Sequence, residues 1–282
     1  MSKIIISCDT TACISKKDAQ KLGIYVLPLN VIVDGKEYHD GVTIDNETLA
    51  EKMKNKSTIS TSTPTPVEIE NFFDKIFEDQ NPDYVIHFTI SSKLSSMYSL
   101  FTNICSEKYG NKVVVFDSLS VCSFMGNHVK YAVKLNNEGK DVEEIVSLTK
   151  QRIGTENVIF VPESMVYLKR GGRISPAVAT IGGLLGIKPV LRFGPNGIEK
   201  ETITRTIKKA YLTALDNFAK ADDLDQREIH IIEFDSMKLC KEIKKACEER
   251  FPNLYVKITP MSINVCAHVG PGTVGVALVL KV

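Results

Sequence analysis

The sequence predicts an α/β protein of two domains, and three observations carry that prediction. Up to about residue 160, short apolar segments alternate with helical patterns, which is the order that builds βα units. Those segments are apolar almost throughout, which is typical of parallel strands covered on both faces. After residue 160, a turn at Gly194-Pro195-Asn196-Gly197 separates two short strand candidates. We therefore predict a mostly parallel, doubly wound sheet in the N-terminal half and a second α/β domain with antiparallel pairing.

The length and composition agree with two globular domains. The chain has 282 residues, of which 43% are hydrophobic and 24% are charged, enough apolar side chain for a sizeable core. The change of pattern places the predicted domains at residues 1–160 and 161–282. Lys plus Arg number 35 against 34 Asp plus Glu, a balance that argues against a generally basic surface for nucleic acid or an anionic membrane.

The predicted elements follow in chain order. A helix is expected to begin after Thr65, because Thr65 and Glu68 form a capping box and Pro66 suits the first helical position. In the second half, helices are expected near residues 206–220 and 236–250. The strand candidates are residues 3–7, 24–33, 83–90, 112–117, 157–161, 228–234, 254–261 and 274–281.

The N-terminal segment predicts a strand rather than a signal peptide, because it holds no long hydrophobic run and no small-residue cleavage site. No segment is long and apolar enough to span a bilayer, so we expect a cytoplasmic protein without stable membrane insertion. Seven cysteines without a C-x-x-C spacing indicate neither a disulfide framework nor a zinc site. We expect reduced thiols, no bound metal and no cofactor.

Three clusters of hydroxyl side chains in the first half predict an anion site. They are residues 8–11, residues 61–63 and residues 91–96, each close to the start of a predicted helix. Ligands of open α/β sheets bind outside the carboxyl ends of the strands, where helix N-termini present free N–H groups. Hydroxyls add donors without charge, so these clusters fit one carboxylate or phosphate. The same residue types also cap helices and turns, which is the commoner role of any single cluster.

Two glycine-rich segments in the second half are further candidates. Residues 168–175 place three cations beside paired glycines, just before a helix that Ser175 is expected to cap. This segment fits a phosphate-binding loop and equally a solvated connection. Residues 181–187 are small and apolar, which favours close approach of the backbone to a helix or an acyl chain.

His268 precedes a literal G-x-G-x-x-G at residues 270–275. These glycines do not predict dinucleotide binding, because the chain ends soon afterwards on a strand candidate, without a βαβ unit or a later acidic residue. His268 itself is a candidate donor to a carboxylate, with small neighbours that leave room for a ligand. A lone histidine is more often structural.

Taken together, these segments resemble the DegV family of bacterial fatty-acid-binding proteins over essentially the whole chain. The resemblance implies a Rossmann-like, mostly parallel sheet in the N-terminal half and a second α/β domain with a mixed or antiparallel sheet. One long-chain fatty acid, such as palmitate, stearate or oleate, is implied to lie between the two domains. The segments that carry the resemblance are residues 9–11, 61–66, 90–95, 116–118, 168–175, 188–191, 205–206 and 268–272.

The resemblance also implies which residues bind the fatty acid. Thr61 and Ser92 are expected to contact its carboxylate, and Ser62, Ser95 and His268 are expected to complete the site. In such proteins the acyl chain lies in an apolar tunnel closed by the second domain.

A partner is implied as well. In this family the bound acid is phosphorylated by a separate ATP-dependent fatty acid kinase, and the acyl phosphate enters phospholipid synthesis. Arg170, Arg173 and Arg205 are candidates for contact with that kinase. The chain departs from the family pattern at Ser96-Met97, where Gly-Thr is usual, and at Cys8, where a smaller residue is more common. We expect the larger side chains at these positions to narrow the pocket or to change which acyl chains fit it. They remove no hydrogen-bond donor to the carboxylate.

Two other classes of protein fit parts of the sequence. A hydrolase or phosphoryl-transfer subunit would use Ser92 or His268 on a small anionic substrate, although no G-x-S-x-G, H-E-x-x-H or P-loop supports it. A nucleic-acid-binding regulator would depend on Lys169, Arg170 and Arg173, without a recognisable DNA-binding element. We favour a carrier with no catalytic residues of its own, which predicts a co-purifying lipid.

Overall fold

The computed structural model describes residues 2–180 and 187–282. Residues 181–186, most of the small apolar segment for which we predicted close backbone packing, lie outside the described residues. The strands are β1 (Ile4–Asp9), β2 (Tyr25–Leu27), β3 (Asn30–Val33), β4 (Lys36–His39), β5 (Ile59–Ser62), β6 (Tyr84–Thr89), β7 (Val113–Asp117), β8 (Asn157–Val161), β9 (Lys188–Gly194), β10 (Gly197–Thr204), β11 (Arg227–Phe234), β12 (Val256–Pro260) and β13 (Thr273–Leu280).

The helices lie between these strands and on both sides of the sheets. They are α1 (Lys16–Leu22), α2 (Asn46–Lys54), α3 (Pro66–Gln80), α4 (Met97–Tyr109), α5 (Cys122–Asn137), α6 (Val142–Lys150), α7 (Val166–Gly171), α8 (Pro176–Ala179), α9 (Ile207–Phe218), α10 (Met237–Arg250) and α11 (Ile263–Val269). Among the described residues, no helix is both long enough and apolar enough to cross a membrane.

The N-terminal sheet is parallel, as predicted. Its order is β2-β1-β6-β7, and every neighbouring pair runs in the same direction. The strand predicted at residues 24–33 is instead two strands, because Pro28 has no N–H for a sheet ladder and the chain changes course there. The first piece, β2, is an edge of the parallel sheet. The second, β3, is the centre of a small antiparallel sheet of order β4-β3-β5, which we did not predict.

The C-terminal sheet is mixed, with the order β10-β9-β8-β13-β11-β12. Its β11–β12 pair is parallel and its other pairs are antiparallel, including the predicted hairpin of β9 and β10 around residues 194–197. The strand β8, which we counted with the first-half alternation, pairs with β13 and β9 in this sheet. The division into residues 1–160 and 161–282 stays a prediction.

The predicted helices are confirmed, and the structure contains two further helices, α7 and α11, that correct the sequence analysis. Thr65 and Glu68 form the capping box at the start of α3, and Ser175 caps α8 by accepting from the backbone of Val178. Residues 168–171, predicted as a loop, are the last turn of α7. The helix α11 was not predicted at all. Its burial pattern at Ile263 and residues 266–267 has helical spacing, but the segment is too short for that spacing to stand out.

A single hydrophobic core joins the two halves of the chain. It contains Val31 and Phe73 from the first half together with Ile232 and Met261 from the second, and Phe160 of the C-terminal sheet. A second core lies beneath α9 and α10 on the outer face of the C-terminal sheet, and a third lies beneath α5 on the N-terminal sheet. The two sheets therefore meet through buried apolar contacts, and a cavity lies within that shared core.

Candidate functional site

A largely apolar cavity lies where the small antiparallel sheet, the carboxyl edge of the parallel sheet and the inner face of the mixed sheet meet. It encloses about 1120 Å³ of empty space, including its open mouth. A concave space with a wall this apolar suits an organic ligand rather than an ion. Its apolar wall comes from both halves of the chain and includes Leu29, Phe124, Phe160, Phe193, Ile232 and Met261.

Polar side chains line one part of this wall. They include Thr61, Ser62, Thr63, Ser95, Ser96, Arg173, Asn264 and His268, and the lining also contains Thr11. The central contact joins the two halves: the hydroxyl of Thr61 and Nε2 of His268 are 2.9 Å apart. Thr61 stands on β5 opposite Val31 of β3, and His268 stands in the last turn of α11. The antiparallel sheet therefore presents its hydroxyl directly to a helix of the C-terminal half.

The imidazole of His268 is neutral at pH 7. Burial, with the positive charge of Arg173 adding to the effect, lowers the pKa of His268 to about 4. A neutral imidazole offers one N–H donor and one acceptor nitrogen. His268 can therefore exchange a hydrogen bond with Thr61 and still donate or accept one more.

Arg173 supplies the charge of the cavity. Within residues 2–180 and 187–282, it is the one lysine or arginine in the lining. Its Nε donates to the carbonyl of Leu94 at 3.2 Å, and Nη1 donates to the carbonyl of Gly171. Burial lowers the pKa of Arg173, but a guanidinium remains protonated at neutral pH. The cavity thus combines neutral donors with one fixed cation beside Ser95.

Two glycines let the helices around His268 approach closely. A Cβ atom on Gly171 would lie 2.5 Å from Nδ1 of His268, so a side chain there would displace the imidazole. A Cβ on Gly270 would overlap the ring of Tyr167, and Gly270 also has a φ of +80°, in the region that favours glycine. One glycine of each segment singled out in the sequence, Gly171 and Gly270, therefore allows the close packing between α7 and the end of α11.

Gly275 has a different role, in the wall of the cavity. On the sheet it lies between Ile232 of β11 and Phe160 of β8, and both of these line the cavity. A Cβ on Gly275 would lie 2.8 Å from Cγ1 of Ile232. Because Gly275, the last glycine of the G-x-G-x-x-G, has no side chain, Ile232 can pack over it and does not extend further into the cavity.

Four of the predicted carboxylate contacts lie on one cavity: Thr61, Ser62, Ser95 and His268. Ser92 does not line it. It is exposed, and its N–H donates to the carboxylate of Asp117 at 3.0 Å. Its contact with a fatty acid stays a prediction.

The three arginines proposed for a partner surface are separated. Arg170 and Arg205 are exposed, whereas Arg173 is half-buried in the cavity wall. Sequence reasoning missed this inward position, because nothing local distinguishes an arginine that points inward from one that points to solvent.

The first hydroxyl cluster is organised around a buried carboxylate. Asp9 is fully buried and accepts from the N–H of Thr11 at 2.8 Å and from the N–H of Ile90 at 3.1 Å. Burial raises the pKa of Asp9 to about 6, and its hydrogen bonds with Thr11 act in the opposite direction. Thr11 and Ile90 line the cavity, so Asp9 fixes part of the wall without facing the ligand space.

One Ser–His–acid array exists away from the cavity. The hydroxyl of Ser123 lies 3.0 Å from Nδ1 of His230, whose Nε2 lies 2.6 Å from the carboxylate of Glu228. All three are largely buried, and none of them lines the cavity. The array joins α5 to β11. In the described part of the chain, no group of three His, Cys, Asp or Glu side chains is placed to hold a metal ion.

The fold and the site define a class of protein: an α/β protein with an apolar cavity that is lined at one part by hydroxyls, an imidazole and a guanidinium. The chain belongs to the DegV family, because the sequence model of that family, described as an uncharacterised protein, matches residues 3–281. A DegV domain-containing protein of Halalkalibacterium halodurans is 30% identical over 285 residues, which cover 98% of each chain. One of Clostridium perfringens is 32% identical, covering 95% of this chain and 96% of the relative. The resemblance is confirmed.

Solved structures share the fold along the whole chain. A DegV family protein of Thermus thermophilus, described by its fatty acid binding, has a TM-score of 0.89 and 25% identity, with 99% of each chain covered. The Bacillus subtilis DegV, described as a fatty acid binding protein, has a TM-score of 0.88 and 24% identity, with 100% of each chain covered. A stearic acid-binding protein of Eubacterium ventriosum has a TM-score of 0.87 and 24% identity, covering 100% of this chain and 99% of that one. The predicted fold class is confirmed.

Proposed function

We propose that this protein binds one long-chain fatty acid, with the carboxylate at the polar part of the cavity and the acyl chain along its apolar wall. The observation that carries the proposal is the pairing of His268 with Thr61 at 2.9 Å beside the only cation of the described lining, Arg173. A single carboxylate matches that set of donors. A phosphate ester would call for more than one positive charge.

The carboxylate is proposed to accept from Thr61, Ser62 and Ser95, with His268 as a further donor and Arg173 as the counter-charge. Each hydrogen bond to a charged group contributes about 1.5–3 kcal/mol, which offsets the cost of taking the carboxylate out of water. Ser92, on the exposed loop beside Ser95, is proposed to meet the carboxylate only at the mouth.

The acyl chain is proposed to supply most of the affinity. Burial of one methylene contributes roughly 0.8 kcal/mol, so a palmitate, stearate or oleate chain gains more from the wall than from its head group. The fatty acid binding described for the Thermus thermophilus protein, at 25% identity over 99% of each chain, supports this ligand class.

We further propose that the protein is a carrier rather than an enzyme. A separate ATP-dependent fatty acid kinase in the cytoplasm would transfer the γ-phosphoryl group of ATP to a carboxylate oxygen of the bound acid. ADP leaves, and the acyl phosphate serves phospholipid synthesis. The exposed side chains of Arg170 and Arg205 are the proposed contacts with that kinase.

Mass spectrometry tests the ligand. The purified protein, measured under native and then denaturing conditions, should lose a mass equal to one fatty acid. A variant with Arg173→Met should keep the fold and retain less lipid. If the wild-type protein carries no fatty acid and binds none on addition, the proposal is wrong. Charge reversal at Arg170 and Arg205 tests the kinase contact, because it should reduce acyl phosphate formation without changing lipid content.

A further inference from the structure

A buried carboxylate lies at the beginning of the helix that carries His268. Asp40 directly follows β4, and its side chain is only 6% exposed. Its Oδ2 accepts from the hydroxyl of Ser262 at 2.8 Å and from the N–H of Asn264 at 3.5 Å. Ser262 immediately precedes α11. A carboxylate of the first half therefore holds the start of a helix of the second half.

The same antiparallel sheet contacts both ends of α11. The backbone N–H of Asp40 donates to the carbonyl of Leu29 at 2.9 Å, which ties Asp40 to the strand region leading into β3. Strand β3 also pairs with β5, where Thr61 meets His268. From Ser262 to His268 the helix rises about 9 Å. The separation of Asp40, which directly follows β4, from Thr61 on β5 thus sets where His268 lies.

A neighbouring contact strengthens this attachment. Nδ2 of Asn46, the first residue of α2, donates to the carbonyl of Met261 at 2.9 Å. The chain just before α11 is therefore held at two consecutive residues, Met261 and Ser262. The hydrogen-bond donors to Asp40 are hydroxyl and backbone N–H groups, not a lysine or arginine. Its role is therefore to hold these groups in place rather than to form an ion pair.

We propose that Asp40 is a positioning residue for the carboxylate site: it fixes α11 so that His268 stands within hydrogen-bonding distance of Thr61. The proposal rests on the fatty acid function proposed above. Asp40 does not line the cavity, so it acts on the ligand through α11, from which His268 contacts Thr61. A residue that merely stabilised the fold would affect affinity independently of His268.

A double-mutant cycle separates these two roles. Fatty acid affinity is measured by titration calorimetry for Asp40→Ala, His268→Ala and the double variant. Loss of one such hydrogen bond corresponds to about a tenfold rise in Kd for each single variant. The double variant should bind the fatty acid no more than about twofold more weakly than His268→Ala does, because Asp40 is proposed to act through His268. A double variant weaker by about a hundredfold than the wild type, the additive result, overturns the proposal.

Further variants keep the test decisive if Asp40→Ala folds poorly. Asp40→Asn retains an acceptor for Ser262 and should bind within about threefold of the wild type, whereas Asp40→Leu should bind about tenfold more weakly. Equal affinities for these two variants overturn the proposal. Asp141→Ala is the matched control, since it removes an exposed carboxylate that caps α6, away from α11, and should leave Kd unchanged. A wild-type protein that binds no fatty acid refutes the proposed function instead.

Discussion

Replacement of Gly171 by alanine should displace the imidazole of His268 and weaken fatty acid binding. The added Cβ would lie 2.5 Å from Nδ1 of His268, and ordinary contacts begin at 3.4 Å, so the imidazole must move by about 0.9 Å. Nε2, on the opposite side of the ring, already contacts Thr61 at 2.9 Å, so the imidazole cannot move straight back and must turn out of that hydrogen bond. Overpacking costs about 1–3 kcal/mol, and the lost hydrogen bond adds about 0.5–1.5 kcal/mol.

The expected loss of stability is opposite in sign to the usual effect of replacing glycine by alanine in a helix. Gly171 ends α7, and alanine in a helix is otherwise favoured over glycine by up to about 1 kcal/mol. Without the contact to His268, the substitution would therefore be neutral or stabilising. Urea denaturation gives the free energy of unfolding, and calorimetry gives the Kd, which should rise about tenfold.

Gly194→Ala is the control. A Cβ at Gly194 meets nothing within 4 Å, so stability and Kd should both stay at the wild-type values. If Gly171→Ala matches this control in both measurements, the packing of α7 against His268 is not as described, and the positioning argument for the imidazole is refuted.

Three further predictions concern charge, depth and pH. Arg173→Met should raise the Kd for a fatty acid about tenfold or more but leave the Kd for the corresponding alcohol unchanged; equal losses would contradict its role as counter-charge. Gly275→Ala should push Ile232 into the cavity and shift the co-purifying acids toward shorter chains, as read by mass spectrometry; an unchanged profile would contradict the account of the wall. Burial lowers the pKa of His87 to about 3 from 6.5, so its stabilising contribution is present above pH 6.5 and is lost as the pH falls toward 3, by about 1.4 kcal/mol per unit. His87→Phe should flatten that acid dependence in urea denaturation, and an unaltered slope would contradict it.

Much of the fold follows from local patterns in the sequence. The parallel strands, the hairpin of β9 and β10 and the capping box at Thr65 depend on residues close together in the chain, where periodicity and turn chemistry operate. The division of residues 24–33 into two sheets was missed, because Pro28 marks a break without showing which sheet takes each piece. The helix α11 was missed because seven residues give too little periodicity.

The site was predicted less completely, for a similar reason. Runs of hydroxyls mark Thr61 and Ser95 because several donors stand together in the sequence. The contact of Asp40 with Ser262 joins residues 222 positions apart, and no local pattern announces it. Arg173 illustrates the same limit: its segment predicts a surface loop, and only the folded chain brings the carbonyl of Leu94 to its guanidinium in the cavity wall.

The hydrogen bond between Thr61 and His268 also has a consequence for the order of events during synthesis. These residues are 207 positions apart in the chain. At a translation rate of about 5–20 residues per second, roughly 10–40 s pass between the emergence of the two side chains from the ribosome. During that interval the N-terminal half can fold around its own sheet, but no enclosed cavity exists. On the proposed function, a fatty acid therefore binds only after the segment that carries His268 has been synthesised.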